Sequence, residues 1–230
     1  MLEYLSTLST VNLWLIFLAE NLLVTLLALI TGTAILKLSD KPVNKPTVNE
    51  WLICGLTNII NTIITFTGFR LWQLGYISLE LNPGWDILTD FALLFLLMDL
   101  AMYVFHFLIH RYNFIYRHIH KFHHQYENPI PIDLFVLHPL ETVSFGTLWL
   151  ITISLLHFNF YAIAAYLVAN VIFGTIGHLG FEPLPEKFTN NKLIRYIGTS
   201  TFHHRHHLDV KHNFGFYTSI WDRIFNTYKS

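Results

Sequence analysis

The stretch GWDILTDFALLFLLMDLAMYVFHFLIH, residues 84–110, is an apolar run that ends in two histidines. A helix needs about 20 apolar residues to span the hydrocarbon core of a bilayer, so this run predicts a membrane-spanning helix over residues 84–109. His106 and His110 are four residues apart, and residues at that spacing lie on one face of a helix. The stretch therefore predicts a transmembrane helix that presents two imidazoles side by side at one membrane surface.

Three further apolar regions predict the rest of a helical bundle. Residues 12–35 and 50–69 are each long enough for one span, whereas residues 142–177 are too long for one and are broken at His157. We interpret that region as a hairpin of two short helices. Residues 1–10 lack the Lys or Arg of a cleavable signal peptide, so the first span is expected to be retained. The predicted fold class is an all-α integral membrane bundle of about four to five hydrophobic helices, with a cytosolic, histidine-rich helical cap.

The composition agrees with a membrane protein. Of the 230 residues, 53% are hydrophobic and 13% are charged, whereas a soluble domain carries about 25% charged residues. The net charge of −1 offers no basic face for nucleic acid. The single cysteine, Cys54, excludes a disulfide framework and a cysteine-rich zinc or iron–sulfur site, and is expected to be a small core residue.

The positive charges assign an orientation to these spans. If the helix at residues 84–109 ends in the cytosol, thirteen of the fourteen Lys and Arg residues lie on the cytosolic side and only Arg70 lies outside. This bias follows the positive-inside rule. The same arrangement leaves His157 as the only histidine on the far side, so the other histidines and the C-terminus are expected at the cytosolic surface.

Two further groups of histidines share the helical spacing of the first pair. The i, i+3, i+4 pattern occurs in HKFHH, residues 120–124, and in HHRHH, residues 203–207. The hairpin returns His138 and His178, which precede and follow it, to the same membrane surface. The predicted metal ligands are His106, His110, His120, His123, His124, His138, His178, His203, His206 and His207. His204 and His118 stay open as alternatives. His157 is expected to be a turn residue, and His212 either a surface residue or one that supports a ligand.

Asp99 lies seven residues before His106, on the same helical face. An ionisable residue within a span is costly and usually functional, and a carboxylate often accepts the free N–H of a ligating imidazole. We predict this role for Asp99, with a purely structural pairing as the alternative. Ten imidazoles are too many for one ion and indicate two metals, and imidazole is compatible with Fe, Zn, Cu or Ni.

Residues 83–227 resemble the fatty acid hydroxylase/sterol desaturase superfamily of integral-membrane di-iron enzymes. DLAMYVFHFLIHR, residues 99–111, is similar to the family's HxxxH helix, and residues 120–124 and 203–207 are similar to its two HxxHH boxes. Residues 1–82 match no motif of the family. We therefore expect N-terminal transmembrane helices at 1–82 and a catalytic domain at 83–227.

The chain also resembles the family outside the boxes. HLGFE at residues 178–182 resembles the family's His-Ser-Gly-Tyr segment. NFG at 213–215 and WDRIF at 221–225 resemble the Asn-Tyr-Gly and Trp-Asp-Arg-x-Phe tail that follows the last box. Asn226 departs from the family, which often has Gly there.

The resemblance implies an O2-dependent oxidation of an unactivated C–H bond in a lipid, by hydroxylation or desaturation. It implies two iron ions, which zinc can replace, and a membrane location in the endoplasmic reticulum or the bacterial inner membrane. The chain has no flavin or nicotinamide fingerprint, so a separate electron donor is expected: a cytochrome b5, a ferredoxin or a reductase. The sequence does not distinguish a sterol from a fatty acyl or related lipid.

Three other classes of protein fit this sequence less well. A bis-histidine haem protein of electron transport needs histidine pairs on facing helices deep in the bundle. A non-catalytic lipid- or metal-binding relative is expected to have lost histidines, yet all three histidine motifs are intact. A metal transporter needs a polar path through its spans, which contain few polar residues.

Overall fold

The computed structural model describes residues 1–125, 129–189, 191 and 194–229. The α-helices in these ranges are α1 (Leu2–Ser6), α2 (Thr10–Leu38), α3 (Val48–Gln73), α4 (Asp86–Arg111), α5 (Asn113–His118), α6 (Pro139–Leu155), α7 (Phe160–Gly177), α8 (Glu186–Thr189), α9 (Ser200–Leu208) and α10 (Ile220–Ile224). The 3-10 helices in the same ranges are His120–Gln125, Pro131–Phe135 and Ile194–Tyr196. Two short strands, β1 (Leu79–Glu80) and β2 (Phe158–Asn159), pair in parallel. The prediction of an all-α bundle with a histidine-rich region is confirmed.

Four of the described helices, α2, α3, α4 and α7, are long and apolar enough to cross a membrane, and α6 is a shorter apolar helix. The expected number of about four to five hydrophobic helices is therefore confirmed. The Ser9 hydroxyl caps α2 by accepting a hydrogen bond from the Asn12 N–H at 3.3 Å. Thr47 and Glu50 form a reciprocal capping box at the start of α3. Such caps satisfy backbone donors that a helix leaves unpaired, so they set where each span begins.

The predicted break at His157 joins α6 to α7, and polar side chains hold it at the end of the bundle where α4 begins. The Asn159 N–H donates to the Asp90 carboxylate at 2.7 Å. The Asn159 side-chain amide donates to the Asn82 carbonyl at 2.8 Å and to the Asp86 carboxylate at 2.7 Å. Because the turn is fixed there, α6 starts and α7 ends beside the far end of α4.

The middle of α4 packs against α6 and α7. Leu94 and Met98 of α4 share a buried cluster with Ile153, Tyr166 and Tyr217. Inside a bilayer, close packing rather than exclusion of water holds helices together. Tyr217 lies beyond the second histidine box, so this cluster ties the C-terminal segment to α4.

The two N-terminal spans place their connecting loop at the histidine end of the bundle. Gly32 of α2 lies against the Pro131 ring, and a β-carbon at Gly32 would come within 2.8 Å of that ring, so the close approach needs glycine. The Lys41 ammonium, between α2 and α3, lies 5.4 Å from the centre of the Phe181 ring. Lys192, one of the thirteen basic residues assigned to this end, lies outside the described residues.

Candidate metal centre

Five imidazole rings converge at the end of α4. They belong to α4, to the 3-10 helix after α5 and to α9: His106, His110, His120, His124 and His206. Four Nε2 atoms form a closed ring of contacts, at 3.0 Å (His106 to His120), 3.1 Å (His120 to His124), 3.2 Å (His124 to His110) and 3.2 Å (His110 to His106). The Nε2 atom of His206 lies 3.1 Å from that of His110. We call these residues the five-histidine group.

Backbone carbonyls orient two of these rings. The His106 Nδ1 donates to the Phe214 carbonyl at 2.8 Å, and the His206 Nδ1 donates to the His212 carbonyl at 2.7 Å. A carbonyl can only accept, so each ring is assigned its proton on Nδ1, and its Nε2 lone pair faces the other rings.

A carboxylate orients a third ring. The His120 Nδ1 lies 2.8 Å from a Glu141 carboxylate oxygen, and both side chains are almost completely buried. Glu141 was not predicted from the sequence. The available signal was a lone acidic residue in the apolar run PLETVSFGTLWLITISL, residues 139–155, since a carboxylate in such a helix is costly unless it serves a site.

The spacing of the nitrogens fits a metal ion and does not fit hydrogen bonds among neutral rings. The five Nε2 atoms make five short contacts, but His106 and His206 carry their protons on Nδ1, so the three other neutral rings supply at most three Nε2 protons for these contacts. Nitrogens bound about 2.0–2.1 Å from one metal ion are about 3.0 Å apart when their bonds meet at a right angle. The donor set therefore suits a cation at the centre of the group.

Four further rings, all buried, form a second cluster beside the first: His123, His178, His203 and His207. The Nε2 atoms of His203 and His207 are 3.1 Å apart. The His178 Nδ1 donates to the Gly174 carbonyl at 2.8 Å, which leaves its buried Nε2 with no hydrogen-bond partner among the described residues. Buried polar atoms are nearly always paired, so this lone pair also fits a metal ligand. We call these residues the four-histidine group.

Each HxxHH box supplies both groups. In each box the first and last histidines, four residues apart, join one group, and the histidine directly before the last one joins the other. The first box places its outer pair in the five-histidine group, and the second box places its outer pair in the four-histidine group. His124 and His207 stand where the groups meet, with ring centres 4.7 Å apart. The two boxes thus join the groups into one centre.

Burial keeps these imidazoles in the form that binds metal. Removal from water lowers the pKa of His123, His203 and His206 well below the ordinary value of 6.5, and neighbouring imidazoles lower it further. Burial also lowers the pKa of His178 to about 4. Since a metal binds the lone pair of a neutral imidazole, these rings are available as ligands at neutral pH.

Asp222 holds the C-terminal segment whose carbonyls orient two of the rings. Its carboxylate accepts hydrogen bonds from the N–H groups of Phe214 at 2.8 Å and Gly215 at 2.7 Å, and from the Thr227 hydroxyl at 2.7 Å. Asn226, where the family often has Gly, has a φ of +58°. Asn tolerates this left-handed conformation better than most residues, which accounts for the departure.

Asp99 holds the same segment, and the prediction that it accepts a hydrogen bond from a ligand imidazole is wrong. Its buried carboxylate accepts from the N–H groups of Tyr217 at 3.1 Å and Thr218 at 3.0 Å, from the Thr218 hydroxyl, and from the Trp221 indole at 3.0 Å. Seven helical residues separate Asp99 from His106 by about 10 Å along the axis. The C-terminal segment fills that gap, so Asp99 acts on the centre through this segment.

The structure brings nine of the ten predicted ligands together and leaves out His138. The His138 Nδ1 accepts a hydrogen bond from the Leu140 N–H at 3.2 Å and so caps α6, which explains why this ring stands apart. The remaining histidines, His118, His157, His204 and His212, also belong to neither group. His212 takes part in the centre only through its backbone carbonyl, which accepts a hydrogen bond from the His206 Nδ1.

The chain is similar to known proteins over most of its length. The family model of the fatty acid hydroxylases matches residues 91–227. The chain is 31% identical over 182 residues to methylsterol monooxygenase 1 of Rattus norvegicus, covering 76% of this chain and 56% of that protein. It is 29% identical over 175 residues to a Delta(7)-sterol 5(6)-desaturase of Leptosphaeria maculans, covering 74% and 47%.

A more distant relative is a cholesterol 25-hydroxylase-like protein of Danio rerio, 27% identical over 143 residues, with 61% of this chain and 56% of that protein covered. The chain spans about half the length of the curated relatives it matches. No solved structure matches the chain significantly.

Proposed function

The chain belongs to the fatty acid hydroxylase family, and on that premise we propose that it is a membrane-bound, O2-dependent di-iron oxidoreductase that hydroxylates or desaturates a lipid. The relatives carry the names of sterol enzymes, so sterols are the first lipids to test and fatty acyl lipids are the second. In this proposal residues 83–227 form the catalytic domain and residues 1–82 supply two further membrane helices.

The observation that carries the proposal is the convergence of nine imidazoles in two adjoining groups. We assign one metal ion to each group, with His106, His110, His120, His124 and His206 as ligands of the first and His123, His178, His203 and His207 as ligands of the second. Iron bound there would supply the activation of O2 and the removal of hydrogen from an unactivated C–H bond. Zinc binds imidazole as well but has no redox chemistry, so a zinc-loaded protein should be inactive.

The chain's own residues would orient the ligands and limit the access of water. The Phe214 and His212 carbonyls and the Glu141 carboxylate keep three Nε2 lone pairs directed at one point. The four-histidine group is wholly buried, whereas His106 and His110 are partly exposed. Access for small molecules is therefore expected at the five-histidine group.

Electrons would come from a separate cytochrome b5, ferredoxin or reductase, and we propose that the histidine end of the bundle faces the cytosol. The Lys and Arg residues concentrated at that end support this orientation. In a Cys54→Ser background, Lys41→Cys and Lys211→Cys should be labelled from the cytosolic side and Tyr76→Cys from the other. Labelling of Lys41→Cys and Lys211→Cys from opposite sides would refute the orientation.

A haem protein of electron transport is the competing explanation for clustered histidines. Haem iron with two protein ligands takes them from opposite faces of the macrocycle. Nε2 atoms 3.0–3.2 Å apart leave no room for a macrocycle between them. The geometry therefore favours bare metal ions.

The decisive experiment uses the iron-loaded full chain in lipid nanodiscs with an electron donor and isotopically labelled O2. Hydroxylation should place one labelled oxygen in the lipid, whereas desaturation should remove two hydrogens without incorporation, and mass spectrometry separates the two. The matched control is His120→Ala, which lacks one proposed ligand. If no sterol or fatty acyl lipid is converted above this control, the proposed function is wrong.

A further inference from the structure

A short cationic segment follows the span that carries the first two histidines. The helix α4, which is long and apolar enough to cross a membrane, ends at Arg111, and α5 begins at Asn113. Tyr112 lies between them with an extended backbone, at φ −95° and ψ 96°. Because a single residue separates the two helices, α5 lies at the membrane surface where α4 ends.

The two sides of α5 have different surroundings. Phe114, Arg117 and His118 are exposed, follow the i, i+3, i+4 spacing of one helical face, and bring the Phe114 and His118 rings to within 4.4 Å. Tyr116 points the other way, with its ring centre 4.9 Å from that of His110. We call Phe114, Arg117 and His118 the outer face of α5. This short helix thus touches the five-histidine group with one side and presents the other side outward.

The positive charges of this segment are unpaired. Arg111, Arg117 and Lys121 are all exposed, and the sequence has no Asp or Glu between residues 100 and 126. The ion pairs found in the part of the chain that the structure describes include none of these three side chains. Three cations without a partner on one short surface segment favour an anionic partner from outside the chain.

Exposed aromatic rings accompany these charges. Phe114 is 75% exposed and Tyr112 is 57% exposed. Aromatic side chains at the end of a spanning helix are typical of the membrane–water interface, and Lys and Arg residues clustered just beyond such a helix attract anionic lipids. An acidic protein also matches the charges, but large rings beside a span favour the bilayer that already surrounds the helix.

We propose that the outer face of α5, together with Arg111 and Lys121, binds the head groups of anionic phospholipids, with the Phe114 ring in the interfacial layer of the bilayer. The planar guanidinium groups of Arg111 and Arg117 suit phosphate oxygens, because each can donate two parallel hydrogen bonds. A lipid bound there holds α5 in place and thereby keeps Tyr116 against His110. This binding does not depend on the proposed function.

Site-resolved photolabelling tests the proposal without turnover. The full chain is placed in phosphatidylcholine nanodiscs that contain a small fraction of phosphatidylglycerol or phosphatidylcholine, each carrying the same photoactivatable group beside the head group. Mass spectrometry then measures the labelling of residues 112–121. Phosphatidylglycerol should label this segment more strongly than phosphatidylcholine, and its advantage should shrink at high salt, which screens exposed charges. Equal labelling by the two lipids at low salt would overturn the proposal.

Charge removal gives the matched comparison. A cation close to an anionic membrane surface contributes about fivefold to binding, so the double variant Arg117→Gln and Lys121→Gln should lose about 25-fold of the preference for phosphatidylglycerol. The control is the double variant Arg205→Gln and Lys211→Gln, which removes two exposed cations elsewhere. It should keep the wild-type preference at residues 112–121. Equal loss in the two double variants would refute a site at α5, and loss of binding to an acidic cytochrome b5 only in the first, with lipid labelling unchanged, would assign the face to a protein partner instead.

Hydrogen exchange tests whether the lipid holds α5 in place. Amide exchange over residues 113–118 should be slower in nanodiscs that contain phosphatidylglycerol than in pure phosphatidylcholine, and Phe114→Ser should reduce this difference by removing the ring from the interface. Leu208→Ser, a change at another exposed apolar residue, is the control and should keep the difference. Exchange that is equally fast in both lipids would refute the effect on Tyr116.

Discussion

The five-histidine group and the four-histidine group hold the same kind of ring in different ways. In the five-histidine group, hydrogen bonds to two carbonyls and a carboxylate fix three rings, while His106 and His110 stay partly exposed. In the four-histidine group every ring is buried. There a backbone carbonyl orients His178, but the Nδ1 atoms of His123 and His203 have no partner among the described residues. In the five-histidine group the buried Nδ1 of His124 also lacks one.

If each group binds a metal ion as proposed, this difference predicts that the protein preorganises one group and leaves much of the order in the other to the metal. A group that accepts a hydrogen bond from the second nitrogen of a ligand imidazole fixes the orientation of the ring and raises its basicity. Where such groups are missing, binding of the ion must supply the order, and metal binding is then coupled to local folding. The five-histidine group should thus keep its shape without metal, and the four-histidine group should not.

The largest effect is expected from removing one ligand in each group. His120→Ala and His203→Ala should each remove about one of two bound ions. Loss of a group that only orients a metal ligand typically lowers activity by about 10–100-fold. Each of these two variants should lower activity by more than that. Metal analysis of the purified full chain checks this, with His118→Ala, an exposed histidine of α5, as the control that keeps both ions. If His203→Ala retained both ions, the four-histidine group would not be a metal site.

A smaller effect is expected from the outer partner of the five-histidine group. Glu141→Gln keeps an oxygen that can accept from the His120 Nδ1 but is a weaker acceptor than a carboxylate, so metal affinity at this group should fall about tenfold, and about 100-fold in Glu141→Leu. Chelator competition measures both values. The ion of the four-histidine group should remain, as should both ions in the control Glu20→Gln, on the exposed face of α2. Equal loss of both ions would show that Glu141 supports the whole fold instead.

Local sequence patterns predicted the elements of the centre. The apolar runs predicted the membrane helices. The histidine spacing, together with the hairpin, predicted the nine rings that converge in the structure. The division of each box between two groups was not predictable, because it depends on how a 3-10 helix and α9 face one another. Asp99 was misassigned because its partners, Tyr217 and Thr218, lie 118 and 119 residues later in the chain. His138 was misassigned because position at the right membrane surface does not show which way a ring points.

Asp99 should influence the five-histidine group indirectly. Asp99→Leu leaves the N–H groups of Tyr217 and Thr218 without their acceptor, at a cost of about 1–3 kcal/mol for each buried group. Thermal stability should therefore fall together with metal affinity at the five-histidine group, and Asp99→Asn, which keeps one acceptor oxygen, should restore part of both. Melting curves and chelator competition on the same preparations test the link. Weaker metal binding with an unchanged melting temperature would mean that Asp99 acts on a ligand directly.

The smallest expected effect is a change in the pH dependence of the metal-free protein. Burial lowers the pKa of His178 to about 4 in the folded state, against about 6.5 in the unfolded chain. Between these values the unfolded chain binds more protons, so the free energy of unfolding falls as pH falls from 6.5 toward 4. His178→Asn removes one group that binds a proton in the unfolded chain. It should therefore reduce the slope of the free energy of unfolding against pH by at most about 1.4 kcal/mol per pH unit.

Denaturant unfolding between pH 4 and 6.5 measures this slope, with His157→Asn, a change at an exposed turn residue, as the control. If both variants kept the wild-type slope, the His178 ring would not be buried as a neutral group in the metal-free protein, and the four-histidine group would be open to water when empty.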